Sequence, residues 1–321
     1  MNREDLHGHG THVAGIAAGA WSGAAPHANI INVKVLAPNV TDRNSPGQRP
    51  TNGGIAQALS DVTVEHMSKR GRKPSGWRGS VINMSLRTRD TPVLRAATVA
   101  AFLAGIPIST SAGNKNILTD QAPCKYTGST VCVASSNETY QKSWFSNYGP
   151  NVFIIAPGSN ITAASHEADN YVTTKSGTSM ASPLVAGVMA NFVSFEGLWD
   201  DVPEVWKRLR SNQLSNIIGG FPTGAGDQTT NAFLNNGINS PSKRSIDPYA
   251  GIPRDELKLA AEVEAAIAAD SSNVISAAAA PFPTFFNISR EHLTDTGGPT
   301  ATITTEVDTE YAVADELSEW V

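Results

Sequence analysis

Five short runs of apolar and β-branched residues punctuate the first half of the chain: Ile30–Leu36, Ser80–Leu86, Ile106–Ser111, Val131–Ala134 and Val152–Ala156. Helical stretches, roughly Gly54–Lys69 and Thr91–Ala104, lie between the first three. A strand with one wet face alternates apolar and polar residues, whereas a strand apolar along its length must be covered on both faces. Continuous runs alternating with helices therefore predict an α/β protein with a parallel central sheet and helices on both faces. In such sheets ligands and chemistry gather at the carboxyl ends of the strands.

Composition narrows the field. With 321 residues and 40% hydrophobic content, one dominant domain has ample material for a core. A net charge of −5 and the lack of any basic bias make nucleic acid a poor partner. No apolar run reaches the ~18–20 residues of a membrane span. The best, Ala96–Ile108, is broken by Gly105 and Pro107, so no membrane partner is expected. Charge divides the chain unevenly, +4 over the first 240 residues and −9 beyond. The boundary falls in the turn-rich stretch Asn239–Arg244. We read 1–240 as the folded domain and 241–321 as an acidic, Ala/Thr-rich tail or appendage with little core of its own, although Asp255–Ala269 could form one helix. The polar start, Met1–Asp5, offers no signal-peptide core. Cys124 and Cys132, the only cysteines, suit either one bridge in an oxidising compartment or two buried thiols. Five Asn-x-Ser/Thr sequons lean mildly toward secretion.

Three segments carry chemistry. His7-Gly8-His9-Gly10-Thr11-His12-Val13-Ala14-Gly15 opens a small-residue helix, and Thr110–Asn114 ends a strand. Ser176-Gly177-Thr178-Ser179-Met180-Ala181-Ser182-Pro183 precedes the apolar helix Leu184–Phe195. A serine behind Gly177 at a helix start is ordinarily a cap, with Pro183 expected inside the first turn. As a nucleophile it would need helix N–H groups near developing negative charge and a base within reach, for which His9 is the candidate. His7, His9 and His12 lack a recognised metal-site signature, so no metal or cofactor is expected. An α/β-hydrolase reading fails because there the histidine follows the serine.

The order, histidine motif first and serine motif near the domain's end, resembles that of the subtilisin-like serine proteases. His9–Gly15 looks like their histidine motif, Ala112-Gly113-Asn114 their oxyanion-hole motif and Gly177–Pro183 their serine motif. Ala25–Leu36 is similar to the next strand of proteinase K-like fungal members, and the resemblance runs from about Asp5 to Gly237. It implies an endopeptidase without cofactor, monomeric and extracellular, acting on polypeptides through an acyl-enzyme. Ser179 would be the nucleophile, His9 the general base and Asn114 an oxyanion donor beside the Ser179 N–H. Ser85, Leu86, Ala112 and Gly113 would flank the substrate and wall the first specificity pocket. His12 looks structural.

Two features depart from the pattern. Family members carry their triad aspartate some tens of residues before the histidine motif, whereas only eight residues precede His9 here. Asp5 matches a residue adjacent to the histidine motif, not the triad acid. The expectation is a chain that begins inside the family's domain, without that acid and its strand. A peptide-binding relative that does not cleave is the alternative. Arg87 and Thr88 stand where the family has glycines, so their side chains would enter or border the groove, or mark a shifted strand end.

Overall fold

Residues 5–35, 52–222 and 228–237 are described by a computed structural model. The tail from 241 onward, with the expected helix Asp255–Ala269, lies outside them. Side-chain alternation builds the centre of the fold. Strands β1 (Ile82–Met84), β2 (Ile108–Ser111), β3 (Val131–Ser136) and β4 (Ile154–Pro157) run parallel and side by side in that order. Register places Asn83, Ser109 and Val131 on one face, continued by Val133 and Ile154. Helices α4 (Thr178–Phe195) and α5 (Val202–Asn212) cover its apolar part through Val185, Met189, Trp206 and Leu209. On the opposite face, Met84 and Ile108 pack against Ile55, Leu59 and Leu94 of α2 (Asn52–Arg72) and α3 (Pro92–Leu103). Cys132, Ala134 and Ile155 extend that second face over Ala112, Cys124 and Ile218. The expected parallel sheet with helices on both faces is therefore present.

Two smaller elements complete it. β8 (Ala232–Phe233) joins β4 in parallel, and β7 (Leu214–Ser215) pairs with β8 antiparallel. A separate hairpin, β5 (Ile161–Ala164) and β6 (Val172–Lys175), delivers the chain into α4. Against the expectation that no apolar run reaches that length, helix α4 is long and apolar enough to cross a bilayer, yet most of it is buried against the sheet.

Helix ends follow local chemistry. Thr91 caps α3 by accepting from the Leu94 N–H, with Pro92 at the first helical position. Helix α1 (His9–Ala18) begins after Gly8, whose φ of 81° suits glycine; a Cβ there would meet the His166 ring. The Asp5 carboxylate gathers the loose donors of this end: His7 N–H at 3.1 Å, and Gly8 N–H, Thr11 N–H and Thr11 Oγ1 at 2.8 Å.

Three expectations are corrected or decided. The strand expected at Ile30–Leu36 is absent over 30–35, where Ile30 and Ile31 are 52% and 64% exposed and no strand of the sheet pairs with them; Leu36 lies outside the described residues. β-branched residues favour a strand but do not by themselves supply the partner that pairs with it. Pro183 sits beyond the first turn, because α4 already starts at Thr178. Cys124 and Cys132 are bridged.

Candidate active site

One pocket opens at the carboxyl ends of β1 and β2, against the start of α4. Its lining includes His7, His9, Ser85, Leu86, Arg87, Gly113, Asn114, Lys175 and Ser179. The fold thus brings together His9, Asn114 and Ser179, with Ser85, Leu86 and Gly113 in the walls. Ala112 is the exception. It stands one layer behind, 3% exposed, its carbonyl accepting from Thr119 Oγ1 at 3.0 Å and Asn147 Nδ2 at 2.9 Å.

Ser179 is the second residue of α4, where backbone N–H groups lack helical acceptors. The Thr178 N–H is taken up by Asn114 Oδ1 at 2.9 Å, while the Ser179 N–H has no acceptor among the described residues. Pro183 offers no N–H to the carbonyl four residues back, that of Ser179. The Ser85 hydroxyl fills this gap at 2.9 Å. Ser85 is steadied by Asn83 Nδ2 at 3.1 Å, and Asn83 Oδ1 accepts from Ser182 Oγ at 2.7 Å. Ser182 is joined to Ser109 of β2 at 2.9 Å. A buried polar ladder therefore ties β1 and β2 to the first turns of α4.

Asn114 has a defined orientation. Its Oδ1 accepts from both the N–H and the hydroxyl of Thr178, at 2.9 and 2.8 Å. The amide nitrogen is left as the outward donor, and a Cβ built on Gly177 would lie 3.3 Å from it. Thr178 Oγ1 also accepts from Gly113 N–H at 3.0 Å. Gly113 adopts a φ of 101° and leaves no room for a Cβ, which would lie 2.5 Å from Asn147 Nδ2. Asn147 Oδ1 accepts in turn from the N–H groups of Lys115 and Ile117, at 2.9 and 3.2 Å. Behind this loop the Lys142 ammonium donates to Asn116 Oδ1 at 2.7 Å and to the carbonyls of Ser143 and Ser146 at 3.0 and 3.2 Å.

The histidines diverge. His12 is fully buried, with Nε2 at 3.1 Å from both the Ile161 and Thr173 carbonyls, which makes Nε2 the protonated nitrogen. His7 is exposed and His9 faces the pocket. Among the described residues no three His, Cys, Asp or Glu side chains gather as a metal site. Burial, reinforced by the charges of His7 and Lys175, lowers the His9 pKa to about 4 against the opposing pull of Asp5. Burial works to raise the Asp5 pKa, but its hydrogen bonds from Thr11, Gly8 and His7 outweigh this and hold it at about 2. Asp5 is engaged with the helix end, and among the described residues no carboxylate hydrogen-bonds to His9; nor does His9 hydrogen-bond to Ser179. Arg87 does enter the pocket wall, whereas Thr88 turns away to pair with Ala122, its N–H 2.8 Å from that carbonyl.

Sequence reading missed Thr178 as the residue that orients Asn114, although its place beside Ser179 was a usable signal. Lys175 carried no signal at all, because only the hairpin brings it to the pocket.

A parallel α/β sheet whose strand ends gather a histidine, an asparagine amide and a helix-start serine, in that chain order, defines the subtilase class. The subtilase family pattern matches residues 1–217, and the chain belongs to that family. It is 40% identical over 230 residues to subtilisin-like protease 5 of Arthroderma benhamiae, an alignment spanning 72% of this chain and 52% of that one. It is 35% identical over 242 residues to the subtilisin-like serine protease Cla h 9.0101 of Davidiella tassiana, spanning 73% of this chain and 45% of that one. Among solved structures, a cold adapted subtilisin-like serine proteinase superposes with a TM-score of 0.60 at 31% identity, over 75% of this chain and 78% of that one. The chain spans about half the length of the curated relatives it matches.

Proposed function

We propose that this chain is a serine endopeptidase of the subtilisin type that hydrolyses peptide bonds in proteins. The observation that carries the reading is the shared pocket of His9, Ser179 and an Asn114 amide whose orientation Thr178 fixes. In the mechanism, the Ser179 hydroxyl attacks the peptide carbonyl while neutral His9 takes its proton. The carbonyl oxygen becomes an oxyanion that receives Asn114 Nδ2–H and the Ser179 N–H. His9 then passes its proton to the leaving amine, and water repeats the sequence on the acyl-enzyme. Ser85, Leu86 and Gly113 border the substrate. Membership of the family and the names of its relatives support polypeptide substrates. The Cys124–Cys132 bridge supports an oxidising, extracellular setting, and the protein is proposed to act as a monomer.

A fluorophosphonate probe tests the reading. It should label the wild-type chain and leave Ser179→Ala unlabelled; equal labelling of both would remove Ser179 as the nucleophile.

A further inference from the structure

Of the five Asn-x-Ser/Thr sequons, those at Asn83, Asn137 and Asn160 fall within the described residues, while Asn39 and Asn287 lie outside them. A sugar linked to asparagine is bulky and hydrated, so the folded chain must leave the amide nitrogen open space. Asn83 does not. Its Nδ2 donates to Ser85 Oγ at 3.1 Å and its Oδ1 accepts from Ser182 Oγ at 2.7 Å, inside the ladder that joins β1 to α4. A sugar on that nitrogen would part the strand from the helix. Asn137 is half-buried, its Oδ1 taken by the Thr139 N–H, the Thr139 hydroxyl and the Gln141 N–H of its own turn, at 3.1, 3.0 and 2.9 Å.

Asn160 differs. It is exposed just before β5, and its Nδ2 has no hydrogen-bond partner among the described residues. Its N–H donates to Ser176 Oγ at 2.8 Å, and Ser176 lines the pocket, so this sequon stands at the pocket's rim. A φ of 56° calls for a residue at ease in the left-handed region, such as asparagine, aspartate or glycine. That requirement accounts for the asparagine but not for a threonine two residues on. Thr162 is exposed as well, its hydroxyl 2.8 Å from Thr174 Oγ1 across the hairpin.

We infer that Asn160 is a site of N-linked glycosylation and that Asn83, within the same kind of sequon, stays bare in the folded protein. The inference rests on the extracellular setting proposed above for the chain's route, not for the geometry of the site. The donor class is an oligosaccharide carried on a polyprenyl diphosphate. Asn160 Nδ2 bonds to the anomeric carbon, the bond from that carbon to the phosphate oxygen breaks, and the diphosphate leaves with the electron pair while the amide gives up one proton. The Asn160 carbonyl oxygen is untouched, so the sugar projects from the nitrogen that has no other partner. The Cys124–Cys132 bridge suits the same oxidising compartment.

The test directs the full chain into the secretory route of a yeast behind a cleavable leader and collects both retained and secreted protein. A peptide N-glycosidase acting in heavy-oxygen water turns each sugar-bearing asparagine into an isotope-marked aspartate, read by peptide mass spectrometry. The Asn160 peptide should carry the mark, and the Asn83 peptide of the secreted protein should not. On gels, Asn160→Asp, which keeps the left-handed turn, should lose one glycan step. Thr162→Val, which keeps a strand-forming residue, should lose the same step, and Thr162→Ser should retain it. An unmarked Asn160, a marked Asn83 in secreted protein, or both loss variants migrating with wild type would each overturn the inference. Retained protein is read too, so a variant that folds poorly still reports. The leader supplies the route, and a bare Asn160 in yeast therefore counts against the site alone. Asn160 marked in yeast but bare in protein from its native cells would overturn the extracellular setting and the inference with it. The fluorophosphonate probe keeps the chemistry apart: a probe-labelled chain with a bare Asn160 leaves a peptidase without this sugar and overturns the inference, whereas a sugar on an unlabelled chain upholds it without the peptidase.

Discussion

The Ser85 hydroxyl lies 2.9 Å from the carbonyl oxygen of Ser179 and supplies the hydrogen bond that Pro183, without an N–H, denies it. A strand end and a helix start are thereby joined at the residue proposed to attack substrate. Ser85→Ala would leave that carbonyl short of a donor at a cost of roughly 1–2 kcal/mol and let the first turn of α4 shift. We expect kcat to fall about tenfold with KM nearly unchanged, and Ser85→Thr to restore part of it. A rise in KM alone would make Ser85 a substrate wall and nothing more.

Thr178 should matter almost as much as the asparagine it orients. Thr178→Val keeps the shape and the backbone donor to Asn114 Oδ1 but removes the hydroxyl that bonds at 2.8 Å. Asn114→Ala is expected to lower kcat by ~10²–10³, the cost of losing such a donor in subtilisin. Thr178→Val should give a smaller loss, about tenfold, by loosening the amide. In the double variant, adding Thr178→Val to Asn114→Ala should cost little more, because the hydroxyl acts through that amide.

Acid should silence the site through His9. The general base works only when neutral, and burial with the charges of His7 and Lys175 puts its pKa at about 4. The acidic limb of kcat/KM should therefore fall near pH 4, below the ordinary imidazole range. Lys175→Met removes one of the lowering charges and should move the limb to higher pH. A limb that stays in place would detach Lys175 from the titration of His9.

Stability has its own acid limb, centred elsewhere. His66 is 1% exposed beneath Trp77, and burial with the Arg70 charge lowers its pKa to about 4 against a raising contribution from the Ala104 carbonyl. Because the unfolded state holds this proton up to an ordinary pKa near 6.5, unfolding takes up protons between about pH 4 and pH 6.5. Stability must then drop as pH falls through that window, by on the order of 3 kcal/mol from this one ring. His66→Phe should flatten that part of the curve in urea melts taken at successive pH values. A slope unchanged by the substitution would place the titration elsewhere.

Much of this was legible beforehand, for reasons that differ by element. Val131–Ala134 and Ile106–Ser111 read as buried parallel strands because both of their faces must be apolar, and they form β3 and β2 within two residues of the expected bounds. His9, Asn114 and Ser179 were legible as motifs, and the starts of α1 and α4 with the end of β2 bring them to one pocket. Ile30–Val35 has the same apolar, β-branched character as the true strands, yet no described strand pairs with it, and pairing is not written in a strand's own residues. Helix α5 was overlooked although its signals were local: Asp201 accepts from the Glu204 N–H at 2.9 Å, and Val202, Val205, Trp206 and Leu209 face the core. Lys175 was invisible because only the hairpin brings it to the pocket that Arg87 also lines.

The Lys142 ammonium, 8% exposed and with its three donors directed at Asn116, Ser143 and Ser146, has a consequence for anyone labelling this protein. An amine-acylating reagent needs a bare lone pair and an approach path, and this nitrogen has neither while the turn is closed. An exposed lysine such as Lys73 should react first, leaving Lys142 to react only at moments when the turn opens. Its slow signal in a mass-spectrometric time course would then act as a clock for opening events behind the asparagine loop.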